Sequence, residues 1–221
     1  MERLVWLNPI VLARYDQNML EEVLVEQDFK VVSNRGDQAQ VVREKYAKIA
    51  AASKAPIADV RCPLIIEYIR ERHQLRWELP QIQPILIHCA LELHERLQPD
   101  GDTFLTVTTP CDALAALGNS LCLQNTHFVA WRHFAREQGI DLVSKTLEQS
   151  PVPPGFFKDL GIKVCSLPSK QAVDNYFALA DSDCSEDSVD LYELFYCSNG
   201  CHNEHESFVP WEPVTPSKGL M

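Results

Sequence analysis

The chain has 221 residues, of which 46% are hydrophobic, enough for one domain or two small lobes with a real core and too many for wholesale disorder. A formal net charge of -11 and a pI near 5.0 argue against nucleic acid as a partner, because binding a phosphate backbone calls for a basic face. The opening stretch from Met1 to Pro9 is too short and too interrupted for a signal peptide or a membrane span. The expectation is a cytoplasmic protein without membrane insertion, in which eight cysteines read as thiols and metal ligands rather than a disulfide framework.

In chain order, Arg3 to Leu7 predicts a short strand, Gln17 to Gln27 a helix, Phe29 to Ser33 a second strand and Arg43 to Ala52 a second helix. Pro56 to Val60 predicts a strand that stops at Cys62. Pro63 then stands where a first helical residue would, its missing N–H costing nothing there, and Leu64, Ile65, Tyr68 and Ile69 give the helix its apolar face. After the break at Pro80 to Pro84, Ile85 to Leu97 predicts a strong helix, followed by a turn through Gln98 to Asp102 and a strand over Thr103 to Thr109.

Ala113 to Leu117 predicts a short helix, Leu121 to Gln124 a strand, and Phe128 to Gln138 a helix closed by Gly139. Ser150-Pro151-Val152-Pro153-Pro154-Gly155 reads as a linker. A strand at Ile162 to Ser166, a helix over Lys170 to Leu179, a solvated acidic loop from Asp181 to Asp187 and a strand at Leu191 to Tyr196 complete the series. Three units are expected: 1-149, carrying Cys62 and Cys111; 150-202, carrying Cys197 and Cys201; and an irregular tail at 203-221, interrupted by Pro210, Pro213, Pro216 and Gly219. Alternation of strands with helices predicts an α/β architecture of two small lobes, with mainly parallel sheets flanked by helices.

Three apolar runs end in cysteine: at Arg61-Cys62-Pro63, at Pro110-Cys111, and at Cys197-Ser198-Asn199-Gly200-Cys201. Carboxyl ends of parallel strands lie along one rim, so thiols placed there can converge from distant parts of a chain. Cys62 and Cys111 each open a helix, where the dipole favours a thiolate. Asn199 and Gly200 let the last turn curl around a cluster.

Taken singly, each of these cysteines is as well read as a buried thiol, and the CxxxC pair also as a redox pair; the ordered set points to ligands. Cys89, Cys122 and Cys165 read as core thiols and Cys184 as exposed and unligated. His88 and His94, six apart, fall on different helix faces, whereas His202 and His205 flank the last cysteine pair and could supply a substitute ligand. There is no paired CxxC zinc knuckle, GxxxxGK[ST] loop, GxGxxG fingerprint, GxSxG elbow or HExxH pair.

These segments resemble the large-subunit catalytic domain of iron-only ([FeFe]) hydrogenases and of its non-hydrogenase relatives in cytosolic iron-sulfur protein assembly. Arg61-Cys62-Pro63, Pro110-Cys111 and the Cys197/Cys201 pair resemble that family's cubane-ligand motifs, Gln83-Pro84 its Ser-Pro, and Asn8-Pro9 its early Ala-Pro turn. The resemblance implies two α/β lobes with the site in the cleft between them, and one [4Fe-4S] cluster held by Cys62, Cys111, Cys197 and Cys201.

Three positions depart from the family. Arg61 stands where hydrogenases have a proton-relaying cysteine, Leu114 where a lysine holds a cyanide of the binuclear iron site, and Phe195 where active enzymes have methionine. The resemblance therefore implies a hydrogenase-like protein of electron transfer or redox sensing, working with a redox partner protein and without hydrogen turnover. A divergent hydrogenase, or an iron-sulfur assembly or structural adaptor whose cysteines hold zinc or nothing, are the alternatives.

Overall fold

The computed structural model describes residues 1–73, 76–180, 189–198 and 200–201. The acidic loop with Cys184, the histidines His202 and His205, and the tail lie outside the described residues. Two wholly parallel sheets organise the chain. The first has the order β2-β1-β4-β5, formed by β1 (Glu2–Trp6), β2 (Phe29–Val32), β4 (Thr103–Thr109) and β5 (Thr126–Ala130). The second has the order β3-β7-β6, formed by β3 (Ile57–Ala58), β6 (Val164–Leu167) and β7 (Leu191–Leu194).

Eight helices cover both sheets among the described residues: α1 (Pro9–Arg14), α2 (Gln17–Glu26), α3 (Gln38–Ala52), α4 (Pro63–Arg72), α5 (Ile85–Leu97), α6 (Asp112–Asn119), α7 (Trp131–Glu137) and α8 (Lys170–Ala180). The α/β class with parallel sheets flanked by helices agrees with the sequence reading. No described helix is long and apolar enough to cross a membrane.

Alternation along β1 divides the first core. Leu4 and Trp6 pack with Leu105, Val107 and Phe128 against Ile87, Ala90 and Leu93 of α5, while Val5 and Leu7 face Leu20, Leu24, Trp131 and Phe134 on the opposite side. Around the second sheet, Ala58, Tyr192 and Leu194 meet Ile65 and Ile69 of α4 and Phe177 of α8. Ile57 and Leu191 meet Val42 and Tyr46 of α3 and Phe157. Fully burying a large apolar side chain of this kind contributes about 1.5–3 kcal/mol relative to exposure.

Several elements differ from expectation for local reasons. No strand forms at Leu121 to Gln124, because Cys122 (φ 51°) and Asn125 (φ 48°) adopt left-handed conformations and turn the chain; the strand begins instead at Thr126 and takes in Phe128, which the sequence pattern assigns to a helix. Cys122 is accordingly exposed rather than a core thiol. Helix α3 starts five residues earlier than its apolar pattern indicates, since Asp37 accepts from the Gln40 N–H and carries a polar, solvent-facing first turn. Asn8 caps α1 through the Ile10 and Val11 amides, so Asn8-Pro9 opens a helix and not only a turn. Gly118 is fixed by packing of α6 on β5: a Cβ there would lie 2.2 Å from the Phe128 ring.

The strand that precedes Cys62 pairs in the second sheet, with Ile57 opposite Leu191 and Ala58 opposite Tyr192. The segment read as a linker is held to that sheet: the Gly155 and Phe156 amides donate to the Glu193 carboxylate at 2.6 and 2.9 Å.

Candidate functional site

In the first sheet the strand order reverses between β1 and β4, and the crevice beyond the carboxyl ends at such a point is where open α/β sheets bind ligands. Asn8 follows β1 there and Cys111 follows β4. From the second sheet, Cys62 follows β3, and Cys197 and Cys201 follow β7. Each of these three strand ends thus leads into a cysteine.

Cys62 has Cys201 and Cys111 as electrostatic neighbours, Cys111 has Cys201, and the Cys201 thiol shares a hydrogen bond with Cys197. Cys62, Cys111 and Cys201 are thus electrostatic neighbours, and Cys197 joins them through Cys201. Among the described residues, no three His, Cys, Asp or Glu side chains form a set that could hold a metal ion. The seven cysteines among those residues are free thiols.

Burial pushes the Cys62 thiol up to about 12, and the neighbouring Cys201 and Cys111 push the same way; the Ile65 and Tyr196 amides act against them. Burial likewise raises Cys111 to about 11, with Cys201 and Asp112 adding to it and the Leu114 and Ala113 amides opposing. For Cys201 the hydrogen bond with Cys197 comes first, then burial; Arg61 opposes both. Burial and mutual repulsion thus hold Cys62, Cys111 and Cys201 toward the thiol form unless a cationic group joins them.

Local sequence explains each placement. Cys62 and Cys111 are the N-cap residues of α4 and α6, so their sulfurs lie beside first-turn amides. Pro63 starts α4 without losing a hydrogen bond. Asp112, beginning α6, is held by Arg132 and, at 3.0 Å, by His133 Nε2, both on α7. In the CxxxC turn, Gly200 has φ 99°, and a Cβ would meet the Val152 carbonyl oxygen at 2.2 Å. Ser150 Oγ donates to the Cys201 carbonyl at 2.8 Å, closing the loop over that turn.

Beside the thiols lies an ionic group whose role the sequence does not announce. Arg61 donates through Nε and Nη2 to Asp59, at 2.7 to 3.0 Å, and through Nη2 to Glu193 at 3.1 Å; Asp59 and Glu193 are 1% and 0% exposed. The remaining carboxylate capacity is used by the Tyr46 hydroxyl and Arg61 amide on Asp59, and by Gly155, Phe156 and Ser166 on Glu193. The signals that could have found it are an acid two residues before a base at a strand end, and one acid inside the apolar run Leu191 to Tyr196.

A cavity of about 110 Å³ adjoins the site, bordered by Cys62, Cys201 and Arg61 and by the apolar Leu114, Leu194 and Phe195. Cys89, read as a core thiol, is buried and also borders it, with a thiol pushed up to about 12 by burial. Cys165 lies half-buried on β6, packed against the same apolar cluster as Cys62. His94 bonds Thr126 and His88 lies beside Lys45, so the two helical histidines go separate ways. No known protein family matches the chain, and none of the curated proteins does.

Proposed function

We propose that this chain binds one [4Fe-4S] cluster through Cys62, Cys111, Cys197 and Cys201 and serves electron transfer or redox sensing with a partner protein, as a member of the hydrogenase-like group its motifs resemble. The observation that carries the reading is the chain of electrostatic neighbours among these thiols, Cys62 with Cys111 and Cys201, Cys111 with Cys201, and Cys201 with Cys197, drawn from three strand ends of two sheets. The residue types suit the group, four sulfurs with none shared with a disulfide and backbone amides beside Cys62 and Cys111 of the kind that tune cluster potentials, although among the described residues the side chains do not stand as a ready-made metal set.

Bound there, the cluster supplies a one-electron couple, and ligation by four cysteines leaves no open iron position for substrate. The chain's own part is to exclude water with Leu114, Leu194 and Phe195, to offset negative charge with Arg61, and to fix the CxxxC turn through Gly200 and Ser150. Leu114, on the cavity wall, has no group to donate to an anionic iron ligand, which supports a protein that does not turn over hydrogen.

Anaerobic reconstitution of single variants tests the assignment. Cys62→Ser, Cys111→Ser, Cys197→Ser and Cys201→Ser are each expected to lose most visible cluster absorbance, whereas Cys122→Ser keeps it. Retention in all four ligand variants, or equal loss in Cys122→Ser, overturns the assignment.

A further inference from the structure

Two of the four sulfurs meet more closely than the rest. The Cys201 thiol shares a hydrogen bond with Cys197, whereas Cys62 and Cys111 have one another and Cys201 as electrostatic neighbours. Among the described residues no three His, Cys, Asp or Glu side chains form a set that could hold a metal ion, and the cysteines there are free thiols. The sulfur contact that the structure shows is thus a pair.

The backbone around that pair is already fixed. Gly200 has φ 99° and leaves no room for a Cβ against the Val152 carbonyl, and Ser150 Oγ donates to the Cys201 carbonyl at 2.8 Å. Bringing the two sulfurs from hydrogen-bond contact to a bond of about 2.05 Å therefore calls for side-chain rotation and not for a different turn. The two sulfurs also differ in surroundings. Cys201 borders the apolar cavity with Leu114 and Phe195, whereas Cys197 is partly exposed and precedes the exposed Ser198, so a small oxidant meets Cys197 first.

We propose that the metal-free chain closes a reversible Cys197–Cys201 disulfide by exchange with a low-molecular-weight disulfide, which makes the CxxxC turn a thiol–disulfide site as well as a ligand pair. Cys197 gives up its proton and attacks one sulfur of the small disulfide; that S–S bond breaks, and the departing thiolate takes the proton. Cys201 then loses its proton and attacks Cys197 Sγ in the mixed disulfide, and the second small thiolate leaves and takes that proton. Two protein thiols are oxidised to one disulfide, and one small disulfide is reduced to two thiols. The bridged form has lost two of the four ligands, so it takes no cluster until it is reduced. That consequence rests on the cluster reading; the bridge itself does not.

The test uses the full chain, stripped of metal by a chelator and fully reduced, with glutathione disulfide as the probe. Intact-mass spectrometry is expected to show a loss of about 2 Da that dithiothreitol reverses, with the bridge mapped by tandem mass spectrometry to Cys197 and Cys201. At a fixed ratio of reduced to oxidised glutathione, the ratio of bridged to open chain is expected to be at least about tenfold higher in the folded chain than in urea, where the contact is gone. Cys111→Ala is expected to keep the bridge and Cys197→Ala to lose it; if Cys111→Ala does not fold, mapping on the unmodified chain decides. No bridge at millimolar glutathione disulfide, a bridge in which another cysteine replaces Cys197 or Cys201, or equal ratios with and without urea overturns the proposal. Iron uptake is measured on the reduced and bridged samples: a bridge with no uptake by either sample overturns the cluster reading and leaves this one standing, and uptake without any bridge does the reverse.

Discussion

Arg61 grips Asp59, two residues before it, with Nε and Nη2, and the same Nη2 reaches Glu193 in the middle strand of the second sheet at 3.1 Å. This buried contact ties the end of β3, immediately before Cys62, to the strand that leads into Cys197. Its guanidinium also lies over the rings of Phe156 and Phe157, at 4.1 and 4.5 Å. The residue thus holds two cysteine-bearing strand ends and the loop from Ser150 in one arrangement.

Removing one partner from a buried ionic group costs far more than the contact is worth, and without the Asp59 charge Arg61 keeps only Glu193, at 3.1 Å, to balance it away from water. Asp59→Asn is therefore expected to lower unfolding stability by about 3–5 kcal/mol, measured by urea denaturation under anaerobic conditions. A loss below about 1 kcal/mol would mean that the group is solvated in solution and does not brace the site.

Gly200 offers a sharper probe of the CxxxC turn. At φ 99°, with the Val152 carbonyl 2.2 Å from where a Cβ would stand, Gly200→Ala must displace the Ser150–Val152 segment or the turn itself. The expected outcome is a native far-UV spectrum with cluster absorbance reduced severalfold after reconstitution. Full absorbance in Gly200→Ala would show that the turn tolerates a different backbone.

How far the sequence anticipates this arrangement varies with the kind of information each part needs. Helix α5 and strand β4 match expectation to the residue, because Ile87, Ala90 and Leu93 repeat at helical spacing and Gly101 and Pro110 punctuate the strand between them. That Cys62, Cys111 and Cys197 follow strand ends was legible from the apolar runs before them, but β4 lies in one sheet and β3 and β7 in the other, an arrangement the one-rim argument does not contain. Helix α1, by contrast, depends on one side chain, Asn8, capping six residues. The displaced β5 depends on two left-handed residues, Cys122 and Asn125, that neither hydrophobicity nor composition marks. The Asp59–Arg61–Glu193 group was out of reach because its partners lie 132 residues apart, and only tertiary structure says that a solitary acid in an apolar strand meets them.

On the far side of α4, Asp174 accepts from the Tyr68 hydroxyl at 2.7 Å and lies 3.1 Å from His73 Nε2. The Tyr68 hydrogen bond, with His73 and Lys170 adding to it, holds the Asp174 carboxyl below its usual value. A depressed carboxylate contributes stability that is present above its unfolded pKa, about 3.9, and is lost as pH falls through the folded value. The wild-type chain is expected to melt higher than Asp174→Asn at neutral pH, with the gap closing as pH drops below about 4. A gap that is constant with pH would contradict this reading.

The central claim is that the four gathered thiols carry an iron-sulfur cluster, and its most direct test is a count of iron and acid-labile sulfide per chain after anaerobic purification, read alongside zinc. The account predicts about four iron and four sulfide per chain, with an electron paramagnetic resonance signal on reduction. Zinc with no iron, or neither metal after reconstitution, would contradict it.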